Sequence, residues 1–348
     1  MKGKQGMVCM GLLLVLSSCH TGKQITASGL QRKDFQTEVN GQHTDLFTLS
    51  NKQGMEVCIT NYGARVVSIL VPDRNGKRED VVCGFSTITE YMEQRQNFGS
   101  TVGRYIGRIL NARFTLDGVE YKLVPNNGKS GHISHGGNPG FADRIWKVEQ
   151  ADTHRVCLSY LSPDGENGFP GNLKVTLVYS LGEDDNALDL TYEATTDAPT
   201  VLNLSHHSFF NISGNFTKSV EDQQLWVDAD RFTPYDDKKC VTGEYLPVAG
   251  TPLDFRMPHT IGECIDADHP QLKVVNGYDH TWELNTKGDD TRPAAWVYDP
   301  ASGRKMEIFT TEPGMQIYTG NGLKGKMTGK GGIAYPFRSA VCFETMHF

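Results

Sequence analysis

The clearest pattern along the chain is alternation of apolar and polar positions over short runs. Leu188, Leu190 and Tyr192 alternate with Asp189, Thr191 and Glu193, and Leu173 to Tyr179 alternates in part. Successive strand side chains point to opposite faces, so this period of two predicts strands with one buried face. Between the runs, Gly182-Glu183-Asp184-Asp185-Asn186 is turn chemistry, which predicts a hairpin. A second hairpin is predicted from Ala294 to Tyr298 and Lys305 to Thr310, joined by Asp299-Pro300-Ala301-Ser302-Gly303. Further strands are predicted at Glu56 to Thr60, Arg65 to Val71, Val119 to Leu123, Trp146 to Glu149, Val156 to Tyr160, Leu225 to Val227 and Ala340 to Thr345. The one helix predicted, Thr87 to Gln96, has no strong apolar stripe. Many strands at short spacing, with 37 Gly and 15 Pro to supply turns, predict an all-β domain, either a sandwich or a barrel.

The pattern changes at the N-terminus. Lys2 and Lys4 precede an apolar run from Met7 to Leu16 that is too short to span a bilayer, so residues 1–19 are read as a targeting segment outside the fold. Leu16-Ser17-Ser18-Cys19 resembles the lipobox of bacterial lipoproteins. That resemblance implies lipidation at Cys19, export as a lipoprotein, and membrane attachment through the N-terminal lipid alone. An ordinary secretory signal cut after small residues is the other reading. His20 to Arg32 is polar with no apolar periodicity and is expected to be a flexible tether, leaving one domain over residues 33–348. No acidic cluster follows Cys19, so the expected location is the cell envelope, facing the periplasm.

Composition narrows the function classes. At 38% hydrophobic and 22% charged residues the chain is globular rather than disordered. A net charge of -7, a pI near 5.9 and no Lys/Arg block exclude a nucleic-acid partner. Of eight Cys, six follow Cys19; none forms a C-x-x-C pair or a structural zinc spacing. Cys58, Cys83, Cys157 and Cys342 lie in apolar runs and are expected to be small buried hydrophobes. His132-x-x-His135 hints at a metal site, but its Gly-rich context is a turn that would not present both imidazoles together.

The candidate chemistry begins in Asn203-Leu204-Ser205-His206-His207-Ser208-Phe209-Phe210-Asn211, which sets two imidazoles in a strand. Alternation allows only one of them to face a given pocket unless the backbone bulges. Five further segments place polar groups between apolar flanks: the stretches around Arg108, His135, Asp279, Gln316 and Glu344. Glu344 shares its strand face with Cys342 and Met346, and a carboxylate among such neighbours is costly to bury without partners.

Taken in order, these blocks resemble the aldose 1-epimerases, the galactose mutarotase family. Ser162-Pro163-Asp164-Gly165-Glu166-Asn167-Gly168-Phe169-Pro170-Gly171 and Gln316-Ile317-Tyr318-Thr319-Gly320-Asn321 add to the likeness, which runs from about Leu46 to Thr345. The resemblance implies a large β-sandwich with an open sugar-binding cleft and interconversion of α and β anomers of free hexoses. It implies Glu344 as catalytic base and His207 as catalytic acid, with Arg108, His135, Asp279 and Gln316 holding sugar hydroxyls. It implies no metal or redox cofactor. At unperturbed values Glu344 would be ionised at neutral pH, and nearby carboxylates would favour a protonated His207.

Three departures accompany the resemblance. The family usually carries Asn where Gly107 and His206 stand, so one hydroxyl contact is expected to be missing at Gly107. The chain ends four residues after Glu344, whereas relatives continue into a closing strand, so an unpaired edge is expected beside the base. A carbohydrate-binding lipoprotein with impaired turnover is therefore the alternative reading. A glycoside hydrolase with Asp279 and Glu344 as paired carboxylates is a third, though it leaves His207 without a role.

Overall fold

The predicted hairpin at Leu173 forms one side of a four-stranded sheet. In the computed structural model, which describes residues 24–348, Leu173–Leu181 pairs antiparallel with Leu188–Thr196, with Leu181 opposite Leu188 and Leu177 opposite Tyr192. Leu173, Val175, Leu177, Tyr179 and Leu181 are buried while the residues between them are not, as the period of two requires. Lys147–Ala151 and Arg155–Ser162 complete this four-stranded sheet. It packs on a second sheet of Leu46–Ser50, Glu56–Thr60, Arg65–Pro72 and Arg78–Asp80. Val57, Ile59 and Val66 from one sheet meet Val156, Leu158 and Leu177 from the other in a single core.

The C-terminal half repeats the arrangement. Ala295–Tyr298 and Lys305–Ile308 form the second predicted hairpin, flanked by Gln224–Val227 and His259–Thr260. This sheet shares a core with a six-stranded sheet through Leu225, Val297, Trp282, Ile317 and Phe343. The six-stranded sheet carries Phe209–Phe210, Val341–Met346, Gly314–Tyr318, Asp279–Glu283, Arg231–Thr233 and Leu246–Pro247, in that order. Sheets packed through their apolar faces make the molecule a β-sandwich rather than a closed barrel.

Helices are few among the described residues. Ile88–Gln94 is shorter than predicted: Thr87 caps it in a reciprocal box with Glu90, and Arg95 ends it in a left-handed conformation. Pro270–Val275, with Pro at its start and left-handed Asn276 at its end, was not anticipated because six residues cannot display a helical period. None is long and apolar enough to cross a membrane.

Several expectations are corrected. Residues 24–32 do not form a free tether: Ile25 bridges to Gln31, Leu30 is buried, and the Ala27 amide donates to Glu56 Oε1 at 2.6 Å. Leu30 gives this stretch the apolar anchor that its polar composition concealed. Cys157 is only half-buried, because it faces away from the buried Val156 and Leu158 on the same strand. The strand carrying Glu344 is not an open edge. It pairs with Gly314–Tyr318 on one side and Phe209–Phe210 on the other. Beyond Cys342 the Asn203 side chain holds both the amide and the carbonyl of His347, and Ser205 Oγ donates to the Thr345 carbonyl at 2.9 Å. The targeting segment, including Cys19, lies outside the described residues.

Candidate active site

The exposed face of the six-stranded sheet builds the floor of a cleft through two cross-strand rows. Register places Thr281 opposite Gln316 and Gln316 opposite Glu344. The neighbouring row runs from Asp279 through Tyr318 and Cys342 to Phe209. Residues opposite one another in antiparallel strands share a face, so sequence spacings of two (Asp279/Thr281, Gln316/Tyr318, Cys342/Glu344) bring these side chains to one face of the sheet.

His207 enters from the strand Ser205–His207, which pairs with Ser100–Val102 and sets His207 opposite Ser100. Its ring stacks on Phe209 with centroids 5.1 Å apart, and the His135 ring meets it edge-on at 5.5 Å. These contacts aim Nε2 at Glu344 Oε1, 3.3 Å away, and both side chains are at most 7% exposed. His206 points the other way. Its Nε2 is 2.6 Å from Ser208 Oγ and its ring lies against Tyr179, so strand alternation resolves the double histidine in favour of His207.

The wall opposite comes from a two-residue ladder in which Arg108 faces Ser134, and the His135 amide donates to the Gly107 carbonyl at 2.9 Å. A Cβ on Gly136 would fall 1.9 Å from the Gly103 carbonyl oxygen, so only glycine lets this loop press against the segment leading to Arg108. Arg108 donates to the Lys239 carbonyl at 2.9 Å and lies over the Tyr235 ring. Gln316 is fixed from both ends: its amide donates to Asp279 Oδ1 at 2.6 Å, and its oxygen accepts from Thr281 Oγ1 at 3.2 Å and the Tyr235 hydroxyl at 3.4 Å. One Asp279 oxygen and one Gln316 N–H remain for a ligand.

All six residues singled out in the sequence for a sugar site, Arg108, His135, His207, Asp279, Gln316 and Glu344, line this one cleft of about 470 Å³. Tyr235 and Thr281 were missed. Thr281 was findable, since it shares a strand face with Asp279, whereas nothing local marks Tyr235. The His132-x-x-His135 pair divides: buried His132 accepts the Asn111 amide at 3.0 Å, and only His135 reaches the cleft.

Burial dominates the electrostatics. It pushes Glu344 well above the usual carboxylate range, reinforced by Asp279 and opposed by Arg108. It also pushes His207 well below an ordinary imidazole, with His135 adding to the effect. Both shifts run against the ionised Glu344 and protonated His207 that reference values imply: desolvation of two buried charges favours the neutral carboxyl and the neutral imidazole. His135 falls to about 4 through burial and the Arg108 guanidinium, so it is a neutral hydrogen-bonding group at pH 7.

Asp279 is pushed up to about 6 by burial, partly offset by Arg108 and by the Gln316 hydrogen bond. Its contribution to stability is therefore full below its unfolded value and lost as pH rises through about 6. Asp279→Asn should raise the unfolding free energy at pH 8 by on the order of 2 kcal/mol and leave it nearly unchanged at pH 4. Urea titrations at the two pH values check this, and a variant less stable at pH 8 contradicts it.

A sandwich whose polar cleft sets a buried imidazole against a buried carboxyl, with Arg108, His135, Asp279 and Gln316 around them, defines an all-β protein with a candidate proton-transfer site. Residues 45–348 match the family described as aldose 1-epimerase. The chain is 39% identical to pig (Sus scrofa) galactose mutarotase, over 87% of this chain and 85% of that protein. It is 36% identical to Escherichia coli aldose 1-epimerase, over 82% and 81% of the two chains. In structure it is similar to the aldose epimerase homologue from C. elegans, with a TM-score of 0.79, 30% identity and coverage of 87% and 89%. The corresponding values for galactose 1-epimerase from Lactobacillus acidophilus are 0.78, 29%, 89% and 88%. The chain belongs to the aldose 1-epimerase family.

Proposed function

We propose that the protein is an aldose 1-epimerase that interconverts α and β anomers of free hexoses by acid–base ring opening and reclosure. The observation that carries this reading is the 3.3 Å contact between His207 Nε2 and Glu344 Oε1 at the floor of the cleft. Ring opening removes a proton from the C1 hydroxyl and delivers one to the ring oxygen; the aldehyde then rotates and closes on its other face. A pair holding one proton does both tasks. With the proton on His207, Glu344 is the base and His207 the acid. Opening leaves the proton on Glu344, and closing returns it.

The two arrangements must be close in energy for turnover in both directions. Burial favours the neutral one, and Arg108 pulls Glu344 back toward the carboxylate. Arg108, His135, Asp279 and Gln316 hold the ring hydroxyls and keep C1 and the ring oxygen over the pair, which supplies orientation in addition to proton transfer. Gly107 lines the same wall, and a Cβ built on it would meet only Met346 Cε at 3.7 Å, so the space for a further contact is left open there.

Polarimetry with freshly dissolved α-galactose or α-glucose should show equilibration faster than in buffer alone. No excess on any common aldose overturns the reading. The impaired-binder alternative loses its motive, since the strand bearing Glu344 pairs with Gly314–Tyr318 on one side and is held on the other by Phe209–Phe210 up to Cys342 and by the Ser205 and Asn203 side chains beyond it.

A further inference from the structure

Cys342 lies directly beneath the proton-transfer pair and takes no part in it. The thiol sits two residues before Glu344 on the same strand face, wholly buried between Phe209 and Tyr318 by register. Its Sγ, a His207 ring nitrogen and a Glu344 carboxylate oxygen all fall within 4.8 Å of one another. Sulfur, imidazole nitrogen and carboxylate oxygen together form a donor set suited to zinc and other thiophilic divalent cations and poorly suited to magnesium or calcium.

The spacing supports the same conclusion. Two ligands about 2.0 Å from a tetrahedral metal stand about 3.3 Å apart, and a thiolate at about 2.3 Å stands about 3.5 Å from either. His207 Nε2 and Glu344 Oε1 are already 3.3 Å apart. The sulfur closes any remaining gap with a movement of about 1 Å, within reach of a side-chain adjustment. The fourth position opens into the cleft, where water or a sugar hydroxyl completes the shell, and the thiol proton leaves to solvent when the metal binds.

We infer that Cys342, His207 and Glu344 form an inhibitory binding site for a thiophilic divalent cation such as Zn²⁺. Occupancy engages both proton-transferring atoms at once and stops turnover. The inhibition readout rests on the epimerase reading above, whereas metal binding does not. The two failures are thus separable.

The test uses Co²⁺ as a spectroscopic probe and Zn²⁺ as inhibitor on the chelator-treated full chain. Wild type should show a thiolate-to-cobalt charge-transfer band at one equivalent, and Zn²⁺ should inhibit anomer exchange reversibly while Mg²⁺ does not. Cys342→Ser and Cys342→Ala should keep basal exchange, lose the band and weaken Zn²⁺ inhibition about tenfold or more. Glu344→Gln, which removes a second ligand, should weaken Co²⁺ binding by a similar factor, and this arm does not depend on how the Cys342 variants fold. A wild type with no band, a band that survives in the Cys342 variants, or Co²⁺ affinity unchanged in Glu344→Gln overturns the site.

Discussion

Glu344→Gln should lower kcat for anomer exchange by about 10²- to 10⁴-fold, because the amide keeps the shape of the carboxyl but can neither accept nor release the shared proton. The side chain is 2% exposed and faces His207 Nε2 at 3.3 Å, so the variant changes chemistry at one atom with little change in packing. KM should move little, since the proposed reading assigns the ring hydroxyls to Arg108, His135, Asp279 and Gln316 rather than to Glu344. The pH profile gives a second readout. In the wild type an acid limb belongs to His207, depressed by burial, and an alkaline limb belongs to Glu344, raised by burial. The active pair holds one proton, so these opposed shifts spread the limbs into a broad plateau, and the alkaline limb should vanish from the residual activity of the variant.

Stability should move in the opposite direction to activity. A carboxyl whose folded value is raised stabilises the fold below its unfolded value and ceases to do so as pH rises through the folded one. Glu344→Gln should therefore match the wild type in acid and exceed it in alkali. Stopped-flow polarimetry and denaturation at two pH values check both parts, and a variant within tenfold of wild-type kcat removes Glu344 from the mechanism.

The sequence made the fold class readable wherever burial alternates cleanly. Leu173 to Leu181 bury every second side chain, so hydrophobic period and structure agree. Glu56–Thr60 is buried throughout and shows no alternation, and only its β-branched and apolar content marked it as a strand. Asp279–Glu283 and Gly314–Tyr318 are central strands that the pattern did not reveal, because one face of each carries the polar floor of the cleft. The six cleft residues came from family likeness combined with residue type, and the structure explains why spacing alone could not find them. They meet through registers such as Gln316 opposite Glu344 and through a two-residue ladder at Arg108, none of which leaves a local trace. The shifts of the pair were hidden for a similar reason. Solvent exclusion is a property of the assembled cleft, and it pushes both groups toward their neutral forms, against what reference values imply.

The same limit applies to Arg104, where the second large effect is expected. Four residues before Arg108 and indistinguishable from it by type, Arg104 is 1% exposed and points at residues 162–171 rather than into the cleft. Its guanidinium donates to the carbonyls of Pro170, at 2.7 Å, and Gly171, at 3.0 Å, and to Ser162 Oγ at 2.6 Å, with longer bonds to Pro163 and Thr200. The group lies over the Phe169 ring, and its charge faces Glu166, which also accepts from the Tyr160 hydroxyl at 2.6 Å. This one side chain ties residues 162–171 to the segment that carries Arg108. Arg104→Met should destabilise the fold by about 3 to 5 kcal/mol, because it leaves buried carbonyls without donors and Glu166 without that cation. Arg104→Lys should recover only part of the loss, since a point charge cannot serve carbonyls spread across the planar fork. Urea denaturation measures both, and a loss below about 1 kcal/mol for the Met variant would place Arg104 among pairs that contribute little. Arg108→Lys provides the contrast: the two arginines share a motif, but this variant should raise KM and leave the denaturation midpoint nearly unchanged, because Arg108 spends its donors at the cleft wall and only one of them, to the Lys239 carbonyl, on the fold.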